Sequence, residues 1–391
     1  MSEPPFTVTP AEPGDDLPRI WREANAAWAP HHYRHTAEYF LANQRVERPR
    51  RLAPFGVRGA DGWRAFFNVS AAEETLAFTA AEKPLFGIRV RVGRVNFPGL
   101  PGVQDDVQLA ELIRQLMDLN PEFDAICLDA LDLESPAAKL WREKRRLPGL
   151  FPYLAARRVQ LHRVLEGGDE AAEGGEKSAR KAGKHFQRKI RALATAHGEV
   201  EFRDFRAPEQ VAEFIRDAGA VVARGWQSRI VGEQLAEPDR PYYEELARQG
   251  LFRGLVLYAG GQPLAMLDAR RNGAVLALYR TSYDARFSKF SPGLLLLTEA
   301  INRARTVDGC RVVDWGFGDA PYKQQFSNRA YPEAQAYYFR DCFRLRAATA
   351  ALSAYFALYD AAKRAVVKLG LTRMFKRAVR GGEEKESAAA E

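Results

Sequence analysis

Apolar residues follow two periods along this chain, and the switches between them outline its elements. Helical spacing occurs near Leu17–Trp28 and again at Val107–Leu119, where Leu109, Leu112, Ile113 and Leu116 share a face. Short alternating or continuous apolar runs predict strands at Leu52–Val57, Trp63–Val69, Ile88–Val95 and Ala125–Leu128. Further along, the pattern gives a helix near Ser178–His197, a strand at Val200–Phe205, and helices near Pro208–Ala223 and Tyr242–Arg248. A meander follows at Arg253–Ala259, Pro263–Arg271 and Ala274–Ser282, joined by Gly260-Gly261 and Asn272-Gly273, dipeptides that supply the positive φ a tight hairpin needs. Helix Pro292–Val307 carries Leu294, Leu297, Ile301 and Ala304 on one side and stops at Gly309. Strands at Arg311–Trp315 and Ala336–Arg340 close the series.

The same order of elements occurs in the second half and, more loosely, in the first, which predicts an internal duplication. The stretch Glu166 to Glu176 has no large apolar residue and reads as a linker. The expected organisation is therefore a unit at 1–165, a linker at 166–177, a second unit at 178–342, basic amphipathic helices at 343–380 and a disordered acidic tail at 381–391.

At 391 residues, two domains are the natural expectation, and 46% hydrophobic residues suffice for real cores. The mean hydropathy of −0.36 fits a water-soluble body. No apolar run reaches the roughly 18 to 20 residues that span a bilayer, and the start Met1-Ser2-Glu3-Pro4-Pro5 lacks the pattern of a secretory signal. Cys127, Cys310 and Cys342 suit reduced, buried thiols in a cytoplasmic protein, neither disulfides nor a zinc site. The net charge of +8 is concentrated in two places: seven basic residues and no acid between Lys177 and Arg191, and nine basic residues against Asp360 alone between Phe343 and Arg380. Either run fits a polyanion such as tRNA or an anionic lipid surface, or a solvated basic face. In the tail, Leu352, Tyr355, Phe356 and Tyr359, then Val367, Leu371, Met374 and Ala378, form an apolar stripe suited to the protein's own body or to a membrane surface.

Candidate chemistry clusters between Arg286 and Lys323. Ser291-Pro292-Gly293 opens a helix with residues suited to its first turn, so that free N–H groups and the positive dipole end would face a phosphate. Asp314, Asp319, Tyr322 and Lys323 follow within ten residues. Asp314 ends an apolar strand, where it would act as a base or cap the next turn. Asp319 is the alternative base, Tyr322 a proton donor or positioning group, and Lys323 a stabiliser of negative charge; a structural salt bridge between Lys323 and an aspartate is the competing reading. Trp226 and Arg229 are candidates for an acceptor groove. His31, His32 and His35 lack further ligands nearby and read as a surface turn, so no metal is expected. Neither a Walker loop nor a Gly-x-Ser-x-Gly elbow is present.

Tyr283-Asp284, Ser291-Pro292-Gly293 with the leucines after it, Asp314, Gly316, Asp319 and Tyr322-Lys323 resemble, in that order and spacing, the GNAT (Gcn5-related N-acetyltransferase) superfamily, and within it the tandem-GNAT proteins of BioF2-like or CelD-like type, relatives of FemAB-like aminoacyl transferases. The resemblance implies an α+β (mixed α/β) tandem GNAT fold, two domains each with a central mixed sheet flanked by helices. The first copy is degenerate, lacking counterparts of Asp319 and Tyr322-Lys323, and would serve as a wall or substrate platform. It further implies transfer of an acetyl or other acyl group from acyl-CoA to an amine of a sugar, lipid-linked or amino-acid-like acceptor between the domains, in a context of envelope or exopolysaccharide synthesis. Tyr279, Arg280 and Thr281 would meet the acyl group and Ser291, Pro292 and Gly293 the phosphates. Two alternatives stand beside this: a FemAB-like transferase using aminoacyl-tRNA, and a non-catalytic binding protein of a membrane-bound polysaccharide synthase. The expected location is cytoplasmic, with peripheral contact at the inner face of the membrane as an extension.

Overall fold

A computed structural model of the chain describes residues 6–28, 32–46, 51–80, 83–96, 99–165, 175–225, 234–317 and 320–368. The first half runs β1 (Thr7–Pro10), α1 (Leu17–Asn25), α2 (Ala37–Gln44), β2 (Arg51–Gly59), β3 (Gly62–Ala80), β4 (Lys83–Asn96), α3 (Asp106–Leu119), β5 (Ala125–Asp132), α4 (Lys139–Arg142) and β6 (Leu150–Val164). Helix α5 (Gly175–His197) leads into the second half: β7 (Val200–Phe205), α6 (Val211–Arg224), α7 (Arg240–Arg248), β8 (Phe252–Ala259), β9 (Gln262–Asn272), β10 (Val275–Tyr283), α8 (Pro292–Thr306), β11 (Val312–Phe317), α9 (Pro321–Phe326) and β12 (Arg329–Arg340). Helix α10 (Phe343–Lys368) ends the described chain.

The two halves repeat one another element by element. All described strands join one sheet of order β1-β2-β3-β4-β5-β12-β6-β11-β10-β9-β8-β7. Within each half three antiparallel pairings are followed by one parallel pairing, β4 with β5 in the first and β10 with β11 in the second. The closing strands are exchanged. The first half's β6 lies antiparallel to β11, and the second half's β12 lies antiparallel to β5, with β6 and β12 paired to each other at the centre. A mixed α/β tandem architecture was the expectation, and it is what the chain adopts.

Helices cover both faces of the sheet because each carries one apolar stripe. Leu109, Leu112, Ile113 and Leu116 of α3 are fully buried against β1, β5 and their neighbours. Leu295, Leu296 and Ala300 of α8 do the same for the second half, packing with Leu255, Leu267 and Trp315. At about 25 cal/mol per Å² of apolar area removed from water, burial of these faces is a substantial favourable contribution to each half.

Several expectations need correction. Strand β6 was not foreseen, since Arg157, Arg158, Gln160 and His162 break its apolar pattern. Helix α2 and strand β1 were also not foreseen, β3 is far longer than Trp63–Val69, and β12 begins seven residues before Ala336. His35 is fully buried, with Nε2 2.6 Å from the Asn96 carbonyl oxygen, so it belongs to the core and not to a surface turn. Cys127 and Cys310 are buried, whereas Cys342 is exposed. The first tail repeat packs on the body: Leu352 is buried, and the Tyr355 ring meets Phe78 edge-on at 5.2 Å. Beyond residue 368 the second repeat and the acidic tail lie outside the described residues.

Candidate active site

Strands β10 and β11 are paired only from Val275/Val312 to Ala277/Asp314, although β10 continues to Tyr283 and β11 to Phe317. Two bulges drive the strands apart. Tyr279 is the extra residue of β10 opposite β9, and Trp315-Gly316 form the irregularity of β11 opposite β6. A bulge bends its strand and re-aims side chains. The wedge so opened holds a cavity of about 160 Å³, lined by the β10 run from Leu278 to Thr281 and by Trp315, Tyr322 and Lys323. The first half has no such wedge in its described residues, because β4 and β5 stay paired to Asn96/Asp129, the last residue of β4.

Gly316 has φ +69°, a region that side chains rarely adopt, and a β-carbon there would stand 3.9 Å from the Leu278 carbonyl oxygen and 4.0 Å from Lys323 Nζ. The glycine thus keeps the wedge open beside the lysine. Trp315 is 2% exposed, and its Nε1–H has no hydrogen-bond acceptor among the described residues. A buried donor without a partner carries a cost of about 1 to 3 kcal/mol.

Burial sets the protonation of the two side chains from α9. It pushes the Tyr322 phenol up, so the hydroxyl stays protonated. It pushes the Lys323 ammonium below its ordinary value, against the charges of Asp314 and Glu333, which pull the other way. Asp314 is different. Burial favours its neutral form, but the hydrogen bond and charge of His162, the Gly316 N–H and the charge of His32 together outweigh this and hold its carboxyl below the usual range. Its Oδ1 accepts from Gln160 Nε2 at 2.6 Å and from the Gly316 N–H at 2.8 Å, with His162 Nε2 at 3.3 Å.

The structure therefore brings together Tyr279, Arg280, Thr281, Tyr322 and Lys323, with Asp314 directly behind them. Ser291, Pro292 and Gly293 do not line the cavity. Ser291 sits at the N-cap of α8 in a left-handed conformation with φ 55°, its hydroxyl capping no helical N–H and accepting instead from Lys189 Nζ of α5 at 2.5 Å. Gly293 leaves room for Tyr283 at the end of β10, 3.3 Å from where its β-carbon would stand. Trp226, Arg229 and Asp319 lie outside the described residues. Trp315, Gln160, His162 and Lys189 were missed by sequence reasoning. Trp315 stands next to Asp314 in the segment singled out, Lys189 lies in the basic run, and Gln160 and His162 are two apart on one strand face.

Residues 180–324 match the family described as "Acetyltransferase (GNAT) domain". The second half of this chain is a GNAT domain. The chain is thus an enzyme of N-acyltransferase type, and GNAT domains take acyl-CoA as co-substrate. Across both halves it is similar in fold to the crystal structure of FemX, at 10% identity and a TM-score of 0.55, with 82% of this chain and 96% of that chain covered. It is also similar to the C-terminal domain of a putative lysylphosphatidylglycerol synthetase from Agrobacterium fabrum, at 12% identity and TM-score 0.48, covering 88% and 96%. A tandem GNAT protein from the clavulanic acid biosynthesis pathway matches at 12% identity and TM-score 0.45, covering 85% and 98%. No curated protein matches the chain in sequence.

A second cavity, of about 320 Å³, lies between the halves, with β3, β4 and β5 on one side and Tyr242, Arg270 and Tyr279 on the other. Tyr279 lines both cavities and is 52% exposed. Among the described residues, no helix is long and apolar enough to cross a membrane.

Proposed function

We propose that this GNAT domain transfers an acyl group, acetyl being the smallest that fits the reading, from acyl-CoA to the amine of a small acceptor held between the halves. The observation that carries this reading is the wedge between β10 and β11, with its unpartnered Trp315 N–H and the buried pair Tyr322 and Lys323. In this reading the thioester carbonyl enters the wedge, where Trp315 Nε1–H and Lys323 supply donors for the developing oxyanion. The amine nitrogen attacks the carbonyl carbon, the C–S bond breaks, and the proton shed by the nitrogen balances the thiolate released. In the same reading Tyr322, kept protonated by burial, hands a proton to the sulfur and is reprotonated from the amine side. Asp314, ionised and already accepting several hydrogen bonds, serves better to position Gly316 and the charge of Lys323 than as a base. Ser291 to Gly293, with Lys189 beside them, are the proposed resting place of the phosphates.

A second reading, with aminoacyl-tRNA as donor, draws support from α5, whose Lys184, Arg188 and Arg191 are exposed on one long helix. Thermal melting with acetyl-CoA, longer acyl-CoAs and charged tRNA separates the two, because a ligand bound only by the folded state raises Tm. A rise with acyl-CoA that is lost in Gly316→Val supports the first reading. A rise with charged tRNA alone overturns it.

A further inference from the structure

We propose that the cavity between the halves is built for a polyhydroxylated ring that carries an amine and no phosphate or carboxylate, the hexosamine class. Calling that ring the acceptor rests on the acyl-transfer reading above.

Three observations carry the assignment. The first is an unsatisfied acceptor. Asn68, 4% exposed, lines the cavity, and its Nδ2 donates to the Arg34 carbonyl oxygen at 2.7 Å. That bond fixes the amide's orientation, since the flipped form would set oxygen against oxygen. Its Oδ1 then has no partner among the described residues. A buried acceptor calls for a ligand O–H or N–H, which a fully ionised phosphate or carboxylate does not offer.

The second is charge balance. Three guanidinium groups line the cavity, and each has a carboxylate at hand: Arg270 is paired with Asp268, Arg94 with Glu74 and with Asp129 at 3.5 Å, and Arg34 approaches Asp129 at 4.0 Å. Three positive and three negative charges leave no surplus to neutralise an anion. What they present instead is a fixed set of donors and acceptors of the kind that hydroxyls satisfy. The third is the platform. Tyr279, half exposed, carries the guanidinium of Arg270 over its ring at 5.0 Å and that of Arg280 at 5.9 Å, and what remains open of this aromatic surface would meet the C–H side of a pyranose. At about 320 Å³ the cavity is at the small end of the roughly 300 to 1,000 Å³ seen for small-molecule sites, a size for one ring with little more. Because Tyr279 also lines the wedge, an amine passing this ring meets the acyl carbon.

The test is saturation-transfer NMR on the full chain with glucosamine, glucosamine 6-phosphate and cadaverine, repeated with Ser70→Leu and Asn43→Leu, which fill the cavity from β3 and from α2, and with acetyl-CoA binding measured in parallel. The expected result is glucosamine binding that weakens at least tenfold in either variant, while acetyl-CoA binding and Tm are retained. Tighter binding of the 6-phosphate than of glucosamine overturns the assignment, as does equal binding of cadaverine or indifference to both variants. If glucosamine binds and responds to the variants but acetyl-CoA does not bind at all, the cavity assignment stands and the acyl-CoA reading falls.

Discussion

Gln160 and Asp314 belong to different halves of the chain, yet the Gln160 amide donates to the Asp314 carboxylate at 2.6 Å in the buried seam between β6 and β11. The bond is a by-product of strand exchange: only because β6 crosses to pair with β11 of the second half does a first-half side chain reach the residue that shapes the wedge. Replacing Gln160 by Leu leaves a buried carboxylate with one donor fewer. The expected loss is about 1 to 3 kcal/mol, read from urea unfolding, with acyl-CoA binding weakened because the Gly316 turn loosens. Unchanged stability would mean that His162 and Gly316 alone satisfy Asp314.

The depressed Asp314 carboxyl makes stability depend on acid. Its folded value lies below its ordinary one, near 4, so its contribution is fully present above that ordinary value and is lost as pH falls through the folded value. Melting curves taken from neutral pH downward should therefore show a steeper acid limb for the natural protein than for Asp314→Asn. Parallel limbs would assign the charge no role in folding.

Lys323 carries the same sign for the opposite chemical reason. Burial disfavours its ammonium, so its folded value is lowered, and its contribution to stability improves as pH rises toward the ordinary lysine value near 10.5. Two outcomes follow: limited amidination should modify Lys323 at a lower pH than ordinary lysines, and Lys323→Met should raise Tm at neutral pH while cutting turnover at least tenfold, a loss of about 1.4 kcal/mol in transition-state binding. A variant both less stable and fully active would reverse this account.

How much of this was legible beforehand depends on the range of the interactions. The β8-β9-β10 meander was plain because Gly260-Gly261 and Asn272-Gly273 mark its turns locally, and Leu109 to Leu116 announced α3 by spacing alone. Tyr322 and Lys323 were named by family likeness, and the fold adds only that both line the wedge between β10 and β11. Strand β6 was not: it has partners in β11 and β12, more than 145 residues away, and its Gln160 and His162 look like loop residues until Asp314 is set beside them. The bulge at Tyr279 leaves no mark in the local pattern, since alternation simply slips by one.

Gly316 separates backbone strain from steric exclusion. A methyl at this position meets no atom closer than 3.9 Å, so Gly316→Ala should cost only the left-handed strain, about 1 to 2 kcal/mol. Its β-carbon still stands at the mouth of the wedge, near Lys323 Nζ. Weaker acetyl-CoA binding at that modest stability cost is expected, measured by calorimetry beside urea unfolding. If Ala binds the donor as well as Gly does, the glycine is there for the turn and not for the ligand.

Strand exchange predicts that the halves do not work apart. Cutting the chain within 166–174 and expressing 1–165 alone removes β12, leaving β5 with an unpaired edge that carries Ile126 and Leu128, both buried in the whole chain. The same fragment keeps β6, a 15-residue strand whose two partners are both gone. Exposed apolar edges pair with whatever chain is near, so the isolated fragment should aggregate or dimerise. The second-half fragment has the matching defect at β11 and β12. Co-expression restores every strand pair, and the two fragments should then copurify as a one-to-one complex with the melting behaviour of the intact chain shifted down by the lost linkage. A monomeric, cooperatively folded 1–165 fragment would show that each half can close its own sheet, and that the exchange seen between β6 and β12 is one of two available pairings.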